Sequence, residues 1–209
     1  MTTPCDFTAN LKDRDRIKRL TDFLFEIGML RHTPRTGYDF LGTGKESVAE
    51  HSYRTTVIGY VLADMAGADK AKTVMLCLFH DIHEARTGDF NYVHRKYNTS
   101  DRTQALRDAT MGTGLGDAIL ALWDELEEVQ SLEAQLAQDA DQIDLILNLK
   151  EELDLGNKYA GTWMADALKR LRTEYGKQLA EQASTTDHTD WWYKGPDRTW
   201  WQNKNGRKD

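Results

Sequence analysis

Apolar positions recur at three- and four-residue spacings through most of this chain, and strand-like alternation is absent from the sequence. Ile17, Leu20, Phe23, Leu24 and Ile27 make one such stripe and predict an amphipathic helix over residues 10–29. A loop from Arg31 to Lys45 follows, carrying Pro34, Gly37, Gly42 and Gly44. Ser47 then opens a second helix, whose stripe of Val48, Ile58, Leu62 and Met65 ends at Gly67, a suitable C-terminal cap. Asp69 suits the start of a third, which the pattern carries to about Arg86, with Gly88 ending it. Phe90 to Tyr97 is irregular, aromatic and basic. Ser100 and Gly114 open shorter helices over 101–111 and 115–128, and long helices over Ser131–Leu155 and Lys158–Ala183 complete the pattern.

Composition supports this reading. Prolines stand only at Pro4, Pro34 and Pro196, so the whole interval between the last two is free of a residue that costs about 3 kcal/mol inside a helix. The expected fold is an all-α helical bundle; a sandwich or barrel, which needs frequent Gly and Pro turns, is disfavoured. The longest apolar run, Val74 to Phe79, is far short of the roughly 20 residues that cross a bilayer. The beginning, MTTPCDFTANLKDRDR, lacks a secretory layout, and Cys5 and Cys77 make no disulfide framework, so a reducing cytoplasm is the expected home. A formal charge of −7 argues against binding a nucleic-acid polymer through its backbone. Residues 184–209 differ from the rest and hold Trp191, Trp192, Trp200 and Trp201. They read as an extension, folded over its own subunit or a neighbour, beside a domain of residues 1–183.

Polar residues interrupt the apolar stripes at informative places. His51 lies on the stripe 48, 51, 55, 58, 62, 65, so the core sees an imidazole. Val74 to Phe79 is apolar all round and runs straight into His80 and Asp81, and a buried carboxylate needs a positive partner, either a basic side chain or a metal. At about 100° per residue, Glu84 projects between His80 and Asp81, one turn on. Two ligand-type groups with a carboxylate between them suit a metal site with an adjacent acid or base, while His83 faces away and reads as supporting. A further ligand is wanted from the long helix, where Asp139, Asp141 and Asp144 surround the stripe Leu132, Leu136, Ala140, Ile143, Leu147; periodicity does not choose among the three.

The ordered set His51, His80-Asp81 and a later Asp resembles the HD-domain phosphohydrolase superfamily. LRHTPRTGYDF, ESVAEHSYR, LFHDIHEARTGDF and AQDADQID are similar to the signature segments of its small, single-domain 5′-deoxynucleotidase branch. The resemblance spans about residues 13–155 and leaves out the tryptophan-rich end. It implies one divalent metal ion on His51, His80, Asp81 and Asp141, with Glu84 as the catalytic carboxylate. It also implies Arg35 as a phosphate contact, Asp89 as a substrate or supporting group, and Lys96 or Arg95 as a further phosphate contact. Some bacterial members place Trp directly after the Arg, where it lines the sugar pocket; this chain has Thr36 there, and Tyr38 is the nearest aromatic.

The expected activity is metal-dependent hydrolysis of nucleoside 5′-monophosphates, deoxyribonucleotides foremost, to nucleoside and phosphate, in a homodimer. Mn, Co, Fe, Ni, Zn and Mg are all compatible with two imidazoles and two carboxylates. Two other readings use the same residues. One is an HD-type hydrolase that releases triphosphate from nucleoside triphosphates, for which His94, Arg95 and Lys96 leave room. The other is a non-catalytic metal or nucleotide binder, against which an acid at Glu84 argues.

Overall fold

The computed structural model describes residues 11–194, and within them the protein is helical. Local chemistry sets most helix starts. Ser47 caps α2 (Val48–Ala66) with a reciprocal pair: its Oγ accepts from the Glu50 N–H at 3.2 Å, and Glu50 Oε2 accepts from the Ser47 N–H at 2.7 Å. Gly67 closes that helix at φ 65°, the left-handed region that a side chain disfavours. Asp69 caps α3 (Lys70–Phe79) and Ser131 caps α8 (Leu132–Asp154), each by accepting a backbone N–H three residues on. The first helix, α1, spans Leu11–Ile27 and passes into short 3-10 helices at Gly28–His32 and Thr36–Phe40.

Two expected helices are broken. The third does not reach Arg86: α3 stops at Phe79, residues 80–83 form a turn, and α4 is the single turn Glu84–Thr87. His80 Nδ1–H donates to the Cys77 carbonyl at 2.6 Å, a side-chain bond that competes with the helical ladder at that point. Angles that assume a straight helix through His80, Asp81 and Glu84 therefore do not hold. After α5 (His94–Tyr97) comes α6 (Arg102–Thr110), capped by Asp101 rather than Ser100, and then α7 (Gly116–Glu128). The last expected helix splits into α9 (Lys158–Leu168) and α10 (Glu174–Thr185). Buried Asp139 captures the turn between them, accepting from the N–H of Arg172 and of Thr173 at 2.8 Å each and from Thr173 Oγ1 at 2.6 Å. α10 runs two residues past Ala183, the expected end of the domain.

The long helix α8 is the hub. Leu136, Ala140, Ile143, Ile146 and Leu149 are fully buried on it, and α2, α3, α9 and α10 pack around it. Each such Leu or Ile is worth about 1.5–3 kcal/mol of burial. A second cluster, with Phe23, Val48, Ile82, Leu106 and Trp123, joins α1 and α2 to α6 and α7. Gly59 lets α2 approach α3: a Cβ there would lie 2.4 Å from Cys77 Sγ. These contacts hold the end of α3 against α2 and the middle of α8. Among the described residues no helix is long and apolar enough to cross a membrane. The segment after α10 is tied to the end of α8 where the His188 N–H donates to Asp154 at 3.0 Å, before α11 (Asp190–Tyr193). Trp191 is 84% exposed, and Trp192 packs edge-on against Tyr193. Trp200 and Trp201 lie outside the described residues.

Candidate metal centre and its cavity

His51 from α2, His80 and Asp81 from the turn after α3, and Asp141 from α8 meet where these elements cross. His51 Nε2 lies 3.1 Å from His80 Nε2, 3.1 Å from Asp141 Oδ1 and 3.6 Å from Asp81 Oδ2, and His80 Nε2 is 3.1 Å from Asp81 Oδ2. Arg35, from the loop before α2, reaches the same carboxylates at 3.4 Å (Asp81) and 3.9 Å (Asp141). Burial disfavours the Arg35 charge, but Asp141, Asp81, Asp89 and Glu84 outweigh it and keep the guanidinium firmly protonated.

Supporting bonds decide what the imidazoles present. His51 Nδ1 is 2.6 Å from Asp144 Oδ2 and His80 Nδ1 is 2.6 Å from the Cys77 carbonyl. A carboxylate and a carbonyl can only accept, so each Nδ1 carries the hydrogen and each Nε2 turns its lone pair inward. Two such nitrogens 3.1 Å apart, flanked by two carboxylates, call for positive charge between them, as a proton on one ring or as a metal ion. The donor set fits a divalent ion: two imidazole nitrogens and two carboxylates of borderline hardness, their formal charge equal to that of the ion. The protein's own electrostatics carry the same demand. Burial and Arg35 pull His51 down, yet Asp141 and Asp144 push it up to about 10. Burial would raise Asp81 and Asp141, but His80, His51 and Arg35 hold Asp81 well below the usual carboxylate range, and His51, Arg35 and His80 do the same for Asp141.

The other expected residues fall into two groups. Glu84, Tyr38, Asp89 and Arg95 surround the centre. Glu84 is buried with Oε2 unpartnered, and burial, with Asp81 and Asp89 beside it, pushes its carboxyl up to about 9. Asp89 Oδ2 accepts from the Thr36 N–H at 2.9 Å and lies 3.9 Å, through Oδ1, from Arg95. Tyr38 is buried and donates to Glu46 Oε2 at 3.3 Å. Lys96 is not brought in: its ammonium lies over the Tyr97 ring, 5.8 Å from the centroid, while Arg95 lines the cavity. His83 packs edge-on against Trp123 with centroids 5.0 Å apart, and burial pushes its ring down to about 4. Arg35, His80, Asp81 and Asp141 open onto a cavity of about 610 Å³, a size that suits a nucleotide-sized ligand.

The model of the family described as HD domain matches residues 27–183, most of the chain and all of the elements that build this centre. The chain belongs to the HD-domain family. Relatives of this HD domain include the 5′-deoxynucleotidase HDDC2 of Bos taurus, 33% identical over 147 residues, covering 68% of this chain and 71% of the relative. The Homo sapiens protein of the same name is 31% identical, covering 68% and 72%. Among solved structures, a conserved hypothetical protein from Pyrococcus furiosus superposes with a TM-score of 0.68 at 27% identity, covering 79% of this chain and 99% of its own.

Several residues of this HD domain that shape the centre escape sequence reasoning. Arg54 holds Asp144 through Nε at 2.5 Å and Glu151 through Nη1 at 2.9 Å, and Asn148 donates to Glu46 at 2.9 Å. Arg54 stands three residues after His51, one turn along the same face, which is the signal that could have found it. Trp163 and Arg170 on the cavity wall had no such signal, because no local pattern places α9 and the turn after it beside the cavity, whereas Tyr92 falls within the aromatic and basic segment Phe90–Tyr97.

Proposed function

We propose that this chain hydrolyses deoxynucleoside 5′-monophosphates to nucleoside and phosphate, with one divalent metal ion held by His51, His80, Asp81 and Asp141. The observation that carries the reading is the inward pairing of His51 Nε2 and His80 Nε2 with two carboxylates and Arg35 at the wall of one cavity. The name borne by the relatives, 5′-deoxynucleotidase, supports the same substrate class.

When bound, the ion supplies Lewis-acid polarisation of a phosphoryl oxygen. The chain's own residues supply the rest. Arg35, buried and fixed in charge, draws negative charge off the phosphoryl group as the ester bond breaks. Glu84 takes a proton from the attacking water and returns it to the leaving 5′ oxygen, so that a P–O bond forms to water as the P–O5′ bond breaks. Its burial raises its affinity for a proton, the property a base needs to hold one through that exchange. Asp89 fixes the Arg35–Thr36 loop through the Thr36 N–H and orients Arg95 toward the substrate. Thr36 Oγ1 is itself committed to the Asp89 carbonyl at 3.1 Å, so selection against a ribose 2′-hydroxyl falls to other wall residues, Tyr38 among them.

Phosphate release from a panel of deoxyribo- and ribonucleoside 5′-mono- and triphosphates, each with Mn, Co and Mg, tests the reading. Release of phosphate from deoxyribonucleoside monophosphates supports it; triphosphate as the product, or no release despite stoichiometric metal, overturns it. The reading includes a homodimer in the cytoplasm, for which light scattering and cell fractionation are the checks.

A further inference from the structure

Arg35, Arg95, Arg102, Arg170 and Arg172 line the cavity, against the carboxylates of Asp81, Asp89, Glu127 and Asp141, and among the described residues no lysine does. Arginine is the side chain suited to planar, paired hydrogen bonding with phosphate; lysine is a point charge on a flexible stem. Arg35 is spent on the metal centre and Arg95 faces Asp89. Arg170 lies over the Tyr92 ring, 4.9 Å from its centroid, and donates to Gln142 at 3.4 Å.

Arg102 and Arg172 are different. Among the described residues neither guanidinium has a carboxylate within 4.0 Å or any hydrogen-bond acceptor, although the chain carries a net −7 and Glu127 lines the same wall. Arg54 is matched with Asp144 and Glu151 and Arg86 with Glu26; Arg14 and Arg107 also make no ion pair among the described residues, but unlike Arg102 and Arg172 they do not line the cavity. Unpaired like charges facing a partly enclosed space repel one another and focus an attractive field for an anion.

We propose that Arg102 and Arg172 bind a second phosphoryl group of the ligand, distinct from the one at the metal centre. The proposal rests on the nucleotidase reading, which seats the first phosphate beside Arg35. The second group can be attached in line at the 5′ position or at the 3′ position of the sugar, and the chemistry recognised is the same.

The test uses the full chain, with Arg102→Gln and Arg172→Gln alone and together. Equilibrium binding is measured for deoxyadenosine 5′-monophosphate, 5′-diphosphate and 3′,5′-bisphosphate, with phosphate release recorded in parallel. The expected result is at least tenfold tighter binding of one doubly phosphorylated ligand than of the monophosphate, the size of one net charge-assisted hydrogen bond. The double variant should lose that preference and keep its affinity for the monophosphate. Which of the two ligands gains shows where the second phosphate sits. Equal binding of all three ligands by the wild-type protein, or an equal loss for all three in the double variant, overturns the proposal. Absence of turnover with the preference intact would instead count against the nucleotidase reading alone. Circular dichroism of each variant separates lost folding from lost recognition.

Discussion

His51 Nδ1 and Asp144 Oδ2 stand 2.6 Å apart, both side chains fully buried. The bond fixes which nitrogen of His51 faces Asp81 and Asp141, and Arg54, at 2.5 Å, fixes the carboxylate in turn. Such supporting partners tune metal affinity by roughly 10–100-fold. Asp144→Asn should therefore weaken Mn binding by about that factor, because an amide can present a donor to Nδ1 and release the ring. Chelator competition measures it. Unchanged affinity would mean that packing alone orients His51.

Glu84 separates binding from chemistry. Its Oε2 is buried and unpartnered, and Glu84→Gln keeps the shape of the side chain while removing its capacity to take up and return a proton. Metal affinity and melting temperature should hold while turnover falls by about 10²–10⁴-fold, the usual worth of a positioned acid-base group. Retained turnover would remove Glu84 from the mechanism.

Three aspartates on α8 show what the sequence could and could not disclose. Asp139, Asp141 and Asp144 sit on one helix, about 60°, 140° and 80° from the centre of its apolar stripe. Each acquires its job from a different neighbour: the turn before α10, the metal centre and His51. Periodicity describes one helix, and those neighbours arrive only when α2, α3 and α10 dock, so only the family resemblance singled out Asp141. Capping was legible because it is local: Ser47 with Glu50, Asp69 with Lys72 and Ser131 with Ala134 are each three residues apart. The break between α9 and α10 was hidden because its cause lies more than thirty residues away. The halt of α3 was hidden for another reason. Its cause is local, but a run as apolar as Val74 to Phe79 gives no sign that the next imidazole will bond back to Cys77.

Asp139 and Asp141, two residues apart, should fail in opposite ways. Asp139→Ala strands the buried Thr173 N–H and its hydroxyl, and should cost about 2–4 kcal/mol in urea unfolding with metal affinity kept. Asp141→Ala should lose metal affinity while leaving the bonds that hold the turn before α10 intact. If Asp139→Ala also lost the metal, the turn before α10 would have to be counted as part of the centre.

The tether at the end of α8 should be sensitive to acid. Burial raises Asp154, but its bonds to Lys150 and to the N–H and ring of His188 outweigh this and lower it, with Asp187 the opposing charge nearby. A carboxyl whose folded value is depressed gives stability that is complete above its unfolded value, roughly 3.9, and is lost as pH falls through the folded one. The protection factor of the His188 amide should thus stay flat down to about pH 4 and drop below it. In Asp154→Ala it should be low at every pH; a wild-type drop that survives this substitution would assign the tether to another group.

Gly59 and Cys77 provide a mechanical test of how α2 and α3 hold the centre. A Cβ at 59 would fall 2.4 Å from Cys77 Sγ, so Gly59→Ala must push the helices apart at a cost of about 1–3 kcal/mol. The Cys77 carbonyl holds His80, and His80 stands 3.1 Å from His51 across that same helix pair. Widening the gap should then weaken metal binding as well as folding. Cys77→Ala removes the obstructing sulfur, so the double variant should recover much of both losses, with a coupling of about 0.5–3 kcal/mol between the two sites. Additive losses would show that the methyl group is accommodated elsewhere and that the close approach of the two helices does not set the His51–His80 distance.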